Sequence, residues 1–161
     1  MFFDFIKYRR LSWLDRALLL EAFLFVMVAS IAIAMLPFRK LGTLAGRPVT
    51  PPEPSQQARS LIIKRTRWAV VAVATRVPWR ALCFQQGLAA QLMLRRRGVA
   101  SVLYYGALQD RQKGLQAHVW VQDGVMPVVG CELASHYAVL ARFPPQDSPA
   151  AAGRLYGQTG R

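Results

Sequence analysis

From Ala17 to Leu36 the chain is apolar apart from Glu21 and Ser30. A helix of that length runs about 30 Å, enough to cross a bilayer. The same segment fits a helix buried in a domain or against a partner. A signal peptide fits less well, because the apolar run is too long and no small-x-small cleavage pattern precedes Pro37. Ser12 stands where an N-cap is expected, and Asp15 takes the capping-box position three residues on, as a shorter substitute for Glu. Glu21, near the helix start, suits the positive end of the dipole. Pro37 ends the segment and Phe38-Arg39-Lys40 follows.

The rest of the chain is punctuated differently. Residues 1–16 mix Phe2, Phe3, Phe5 and Tyr8 with Lys7, Arg9 and Arg10. Residues 42–57 carry Gly42, Gly46, Pro48, Pro51, Pro52 and Pro54 and read as a linker. Helix resumes from Gln57 to Thr75, with Arg59, Lys64, Arg65 and Arg67 ahead of the apolar run Trp68–Ala74. Pro78-Trp79 breaks the pattern. A further helix is expected from Ala81 to Arg97, with Gly98 as its C-cap and Arg95, Arg96 and Arg97 at the negative end of its dipole.

After Gly98 the texture becomes that of strands. Val99–Ala107 and Leu115–Gln122 are strand-like and flank a polar turn at Asp110–Gly114. Asp123-Gly124 is a hairpin signal, and Val125–Val129 is the returning strand. Tyr137–Phe143 reads as a last strand or turn. From Pro144 onward the composition is that of a disordered tail. Helices followed by an antiparallel sheet make an α+β domain. The expected units are a hydrophobic helical segment at 1–41, the linker at 42–57, a domain at 58–143 and the tail at 144–161.

Charge and cysteine content limit the functions. Lys and Arg number 21 against 8 Asp and Glu, a formal charge of +13 in 161 residues. That balance suits an anionic partner such as nucleic acid, a membrane surface or an acidic protein, or simply a solvated basic surface. Two cysteines, Cys83 and Cys131, are too few for a disulfide framework. The absence of CxxC and of a His-rich cluster argues against structural zinc, and no cofactor is expected. Any catalytic scheme must draw on two histidines, His118 and His136, and a few carboxylates.

Cys83 falls at the start of an expected helix. Free N–H groups and partial positive charge there favour the thiolate and can hold the oxyanion of a tetrahedral intermediate. A buried structural cysteine is the plainer alternative. His118 lies within Ala117-His118-Val119-Trp120-Val121, where alternation puts His118, Trp120 and Gln122 on one face and Val119 and Val121 on the other. A helix-start Cys followed some 35 positions later by a mid-strand His has the chain order of papain-like and transglutaminase-like enzymes. Cys131 and His136 share a short loop with no helix start to activate the thiol. Trp68, Trp79, Tyr104 and Tyr105 read as core packing.

Three stretches together carry a family resemblance: Pro78–Cys83, Leu92–Val99 and Ala117–Val121. With Ala22–Leu44, including Leu36-Pro37-Phe38-Arg39-Lys40, they resemble the leader peptidases of lasso-peptide biosynthesis over roughly residues 15–143. The resemblance implies a transglutaminase-like cysteine peptidase at 58–143, with Cys83 as nucleophile and His118 as base. It implies a precursor leader peptide as substrate, a small leader-binding partner protein and an ATP-dependent, asparagine-synthetase-like cyclase. It also implies the split, catalytic type, cytoplasmic and associated with a membrane at most peripherally through residues 17–36, with no nucleic acid expected. That family has an Asp about a dozen residues after the His, where this chain has Gly130. Asp123 sits too far along the strand to orient the imidazole. With a two-residue Asp-Gly turn, Val129 would pair with His118 and Glu132 would point away, whereas a one-residue bulge would bring Glu132 round. Glu132 is therefore the expected orienting group, with a backbone carbonyl, or a domain impaired for lack of one, as the alternatives. Two other readings stay open: a non-catalytic basic module for RNA or an anionic membrane, and an acyl transferase using the same site with an amine in place of water.

Overall fold

The computed structural model describes residues 11–49 and 54–145. The aromatic and basic residues before Leu11, the prolines at 51 and 52 and the tail beyond Pro145 lie outside the described residues. Helix α1 spans Trp13–Met35. It begins as its cap signal predicts: Ser12 Oγ accepts from the Asp15 N–H at 3.1 Å and donates to the Asp15 carboxylate at 2.6 Å. That hydroxyl, with Arg65 at 2.7 Å, holds the Asp15 carboxyl below its ordinary value.

Helix α2, Phe38–Ala45, occupies the first residues of the expected linker. Gly42 reads as a breaker in isolation, but it marks a close approach. A Cβ there would stand 2.6 Å from the Phe143 ring, so tertiary packing overrides a weak local preference. Helix α3 spans Gln56–Ala74 with Ser55 as N-cap. Helix α4 spans Cys83–Arg96, so Cys83 is its first helical residue. It closes in a Schellman arrangement: the Val99 N–H donates to Leu94 O and the Gly98 N–H to Arg95 O, both at 3.0 Å, with Gly98 at φ 72°.

Four antiparallel strands follow: β1 Val102–Asp110, β2 Gly114–Asp123, β3 Met126–Val129 and β4 Ala138–Phe143. Their order is β3-β2-β1-β4, and helices ahead of an antiparallel sheet make the expected α+β fold. The hairpin differs by one residue. Asp123 pairs with Met126, leaving Gly124-Val125 as the turn. Gly124 takes the left-handed conformation, φ 56°, while Asp123 is buried and ion-paired with Arg59 of α3. The register then shifts, so that Val129 stands opposite Val121 and not opposite His118.

One core joins α1, α3 and α4 to the sheet. Its fully buried side chains include Val26, Ile63, Leu88, Met93, Leu103, Val121 and Val128. The inner face of α1 is part of it through Leu18, Ala22, Val26 and Ala29. Polar contacts secure the same helix. Arg97 donates through both Nη atoms to the carboxylate oxygens of Glu21, the longer bond at 3.0 Å. Trp79 Nε1 donates to Ser30 Oγ at 3.0 Å. Arg95 donates to the carbonyls of Leu44 and Ala45 at the end of α2. Two of the three consecutive arginines thus act as structural clamps, whereas Arg96 stays exposed.

Helix α4 meets β2 at Gly87, where a Cβ would lie 2.8 Å from Val119 Cγ1 and 3.6 Å from Val121 Cγ2. A larger side chain must push the helix off the strand. Gly87→Leu is therefore expected to lower stability by about 1–3 kcal/mol, read as a fall in the denaturant midpoint at constant m-value. A midpoint equal to wild type would show that α4 is not pressed on β2 here.

Candidate active site

The first turn of an α-helix has main-chain N–H groups without intrahelical partners. Cys83 sits at that end of α4, with Leu82 as N-cap and no side-chain cap. The Gln86 N–H bonds to Leu82 O at 3.1 Å. One turn into the helix, Gln86 Nε2 donates to Ala81 O at 2.8 Å, and the second N–H of that amide can meet a substrate oxygen. Cys83 is partly buried and not in a disulfide.

His118 lies mid-strand on β2, opposite Gly106. Its ring stacks beside Trp120, with centroids 6.0 Å apart, and against Tyr137 at 5.0 Å. Trp120 in turn stacks on Tyr104, so the predicted His118–Trp120 face exists as an aromatic layer. His118 Nε2 lies 2.7 Å from Gly130 O. A carbonyl only accepts, so Nε2 carries the proton and Nδ1 keeps its lone pair. A base needs that tautomer held in one orientation.

Gly130 thus occupies the place where an Asp was expected and supplies its main-chain oxygen in that role. Its φ is 72°, and a Cβ would fall 2.6 Å from Val119 O and 3.4 Å from His118 Nε2. The turn that aims the carbonyl leaves no room for a carboxylate side chain. Glu132 is not the orienting group: its Oε1 accepts from Arg67 Nη2 of α3 at 2.6 Å. It stands on the 3-10 turn Cys131–His136 that follows Gly130, so the ion pair fastens that turn to α3.

Cys83, Gln86, His118, Gly130 and Glu132 line one open groove of about 820 Å³. Its opposite wall is a face of α3 with Lys64, Arg67, Trp68 and Val71, continued by Arg76 in the turn past the helix end. Trp68, read from sequence as core, is instead 40% exposed in this wall. The spacing 64, 67/68, 71 is one helical face, a signal present in the sequence, as is the place of Gln86 one turn beyond Cys83.

The second Cys-His pair is not comparable. Cys131 directs its thiol at Val121 O, 3.1 Å away, and burial pushes that thiol above its ordinary range. Its partner His136 is exposed at the far end of the turn. Among the described residues no group of three or more His, Cys, Asp and Glu side chains is placed to hold a metal ion.

A family model described as the transglutaminase-like superfamily matches residues 23–142. The match begins inside α1 and runs to the end of β4. No curated protein and no solved structure matches the chain. Such a domain points to a cysteine peptidase or acyltransferase type of chemistry.

Two outcomes follow. Iodoacetamide at pH 7 should alkylate Cys83 at least about tenfold faster than Cys131, because only thiolate reacts and the Cys131 thiol, raised by burial, ionises at more alkaline pH. Peptide mass mapping over time checks this, and equal rates would remove the distinction between the two cysteines. Gly130→Asp should not supply a better partner for His118. It should cost about 1–3 kcal/mol through strain and overpacking, measured by denaturation, and should slow alkylation of Cys83.

Proposed function

The chain belongs to the transglutaminase-like superfamily, and we propose that it is a cysteine peptidase that removes the leader from a ribosomally made lasso-peptide precursor before a partner cyclase closes the ring. The observation that carries the reading is the pairing of a helix-start Cys83 with an oriented His118 in one groove. In this mechanism His118 Nδ1 takes the Cys83 proton as sulfur attacks the scissile carbonyl. The main-chain N–H groups at the start of α4 receive the oxyanion. The imidazolium then protonates the departing amine, leaving a thioester on Cys83. A water activated by the same nitrogen releases the leader carboxylate and restores the thiol.

A carbonyl at Gly130 holds the ring as a carboxylate would but offers only partial negative charge to the imidazolium. The dyad therefore relies on orientation and on the helix start more than on a buried anion. A long open groove suits an extended peptide better than a small molecule. The partners proposed with this activity are a small protein that binds the leader and an ATP-dependent, asparagine-synthetase-like cyclase. The chain's resemblance to leader peptidases at Pro78–Cys83 and Ala117–Val121 supports that choice within the superfamily.

Acyl transfer to an amine is the second reading, because the same thioester serves both acceptors. With the cognate precursor and leader-binding protein present, Cys83→Ala should reduce turnover at least about a thousandfold and His118→Ala by about as much. Glu132→Gln should stay within about threefold, since it bonds Arg67 and not the imidazole. Mass spectrometry of the products reads both questions: a leader ending in a free carboxylate means hydrolysis, and a leader joined to an added amine means transfer. Undiminished cleavage by the Cys83→Ala protein would end the proposal.

A further inference from the structure

Helix α1 is apolar on both sides, and only one side is used by the fold. Ala22, Val26 and Ala29 are fully buried on the inner face. On the outer face Trp13, Leu20, Leu24, Val28, Ile31 and Met35 form a continuous stripe, from 47% exposed at Leu24 and Val28 to 80% at Trp13. With exposed Ala17 between Trp13 and Leu20, a spacing of three and four residues keeps them on one line along the helix. At 1.5 Å per residue the stripe is about 34 Å long. An exposed apolar surface of that extent marks an interaction site.

We propose that this stripe lies in the plane of an anionic membrane, half-sunk at the headgroup boundary, with the rest of the domain above it. Three observations select that occupant. Among the described residues the charge around the stripe is one-sided: Asp15 and Glu21 are the acids of this helix, and both are ion-paired, with Arg65 and Arg97. Arg39 and Lys40 follow the stripe and are exposed, beside the half-exposed ring of Phe38. An apolar helix face flanked by unpaired cations is the arrangement that binds anionic lipid. Next, two copies of a chain with a net charge of +13 repel one another, which disfavours a second copy as the cover.

Finally, the inner face excludes a crossing. To span a bilayer, α1 would have to leave the core, exposing Ala22, Val26 and Ala29. It would also break Glu21–Arg97 and Ser30–Trp79 and carry the Glu21 charge into hydrocarbon. Lying flat requires none of this, because the stripe is already outside.

The test is co-sedimentation of the full chain with vesicles of phosphatidylcholine alone or with 30 mol% phosphatidylglycerol. The expected result is binding to the anionic vesicles, at least about tenfold weaker to the neutral ones, weakening with salt. The outer-face variant Leu20→Gln/Leu24→Gln/Ile31→Gln should lose binding by about tenfold or more with its unfolding midpoint retained. Arg39→Gln/Lys40→Gln should lose a part of it without touching an apolar residue. Bound protein should be released by alkaline carbonate. Wild type left in the supernatant, unchanged binding by both variants, retention through carbonate, or a vesicle-free dimer that the outer-face variant dissolves would each overturn the proposal. None of these outcomes bears on whether Cys83 cleaves a peptide.

Discussion

The close contact between α4 and β2 at Gly87 is the constraint on which the rest depends. Cys83 is the first residue of that helix and His118 lies one position before the strand residue on which Gly87 rests. Bringing a helix backbone this near a strand requires a residue without a Cβ, and the close approach sets how far the helix start stands from the imidazole. Leu88 and Met93 on the helix and Leu103 and Val121 on the sheet then fill the space on either side. The site is thus an outcome of core packing, with Cys83 at the end of a helix pinned to the strand that carries His118.

The His118 ring is oriented by main chain, through the Gly130 oxygen. A carbonyl aimed at an imidazole must be fixed as firmly as a carboxylate would be, and the surrounding contacts do this. Gly130 turns left-handed directly after β3, whose register on β2 is set by the bulge opposite Val121. The 3-10 turn beyond it is fastened to α3 by Glu132–Arg67, and the tip of the hairpin by Asp123–Arg59. Both carboxylates that flank Gly130 in sequence are therefore used to hold the turn that presents its oxygen. Their contribution to the base is indirect and geometric.

That division explains which parts were legible in the sequence. Helix boundaries that rest on local chemistry, at Ser12 and Gly98, could be read closely because a cap satisfies its own neighbours. The α+β order and the His118–Trp120 face followed from periodicity. What could not be read depended on distant partners. Gly42 looked like a linker residue because the Phe143 ring against it is a hundred positions away. The hairpin was placed one residue early because Asp123 has two roles in principle, turn former or buried acid, and only Arg59 decides between them. Gly130 looked like a gap in a triad, since a residue code gives the side chain and the group in use is the carbonyl. Trp68 looked like core because an aromatic on a helix usually is, until the groove beside it is known.

The ambiguity of α1 has a different origin, and its resolution was present in the sequence. An all-apolar helix can be a span, a core element or a surface element, and hydropathy alone does not choose. The two polar residues mark the face it turns to the core. On a helix of 3.6 residues per turn, Glu21 and Ser30 fall about a quarter turn to either side of the line through Leu18, Ala22, Val26 and Ala29. They bracket one face, and that face is also where the small residues Ala22 and Ala29 let a neighbouring helix come close. Each bracket is met from the same part of the fold: Glu21 by Arg97 at the end of α4, Ser30 by Trp79 just ahead of Cys83. Helix α1 is therefore held at both ends of the helix that begins at Cys83. Its outer face is left free for a second use without disturbing the first.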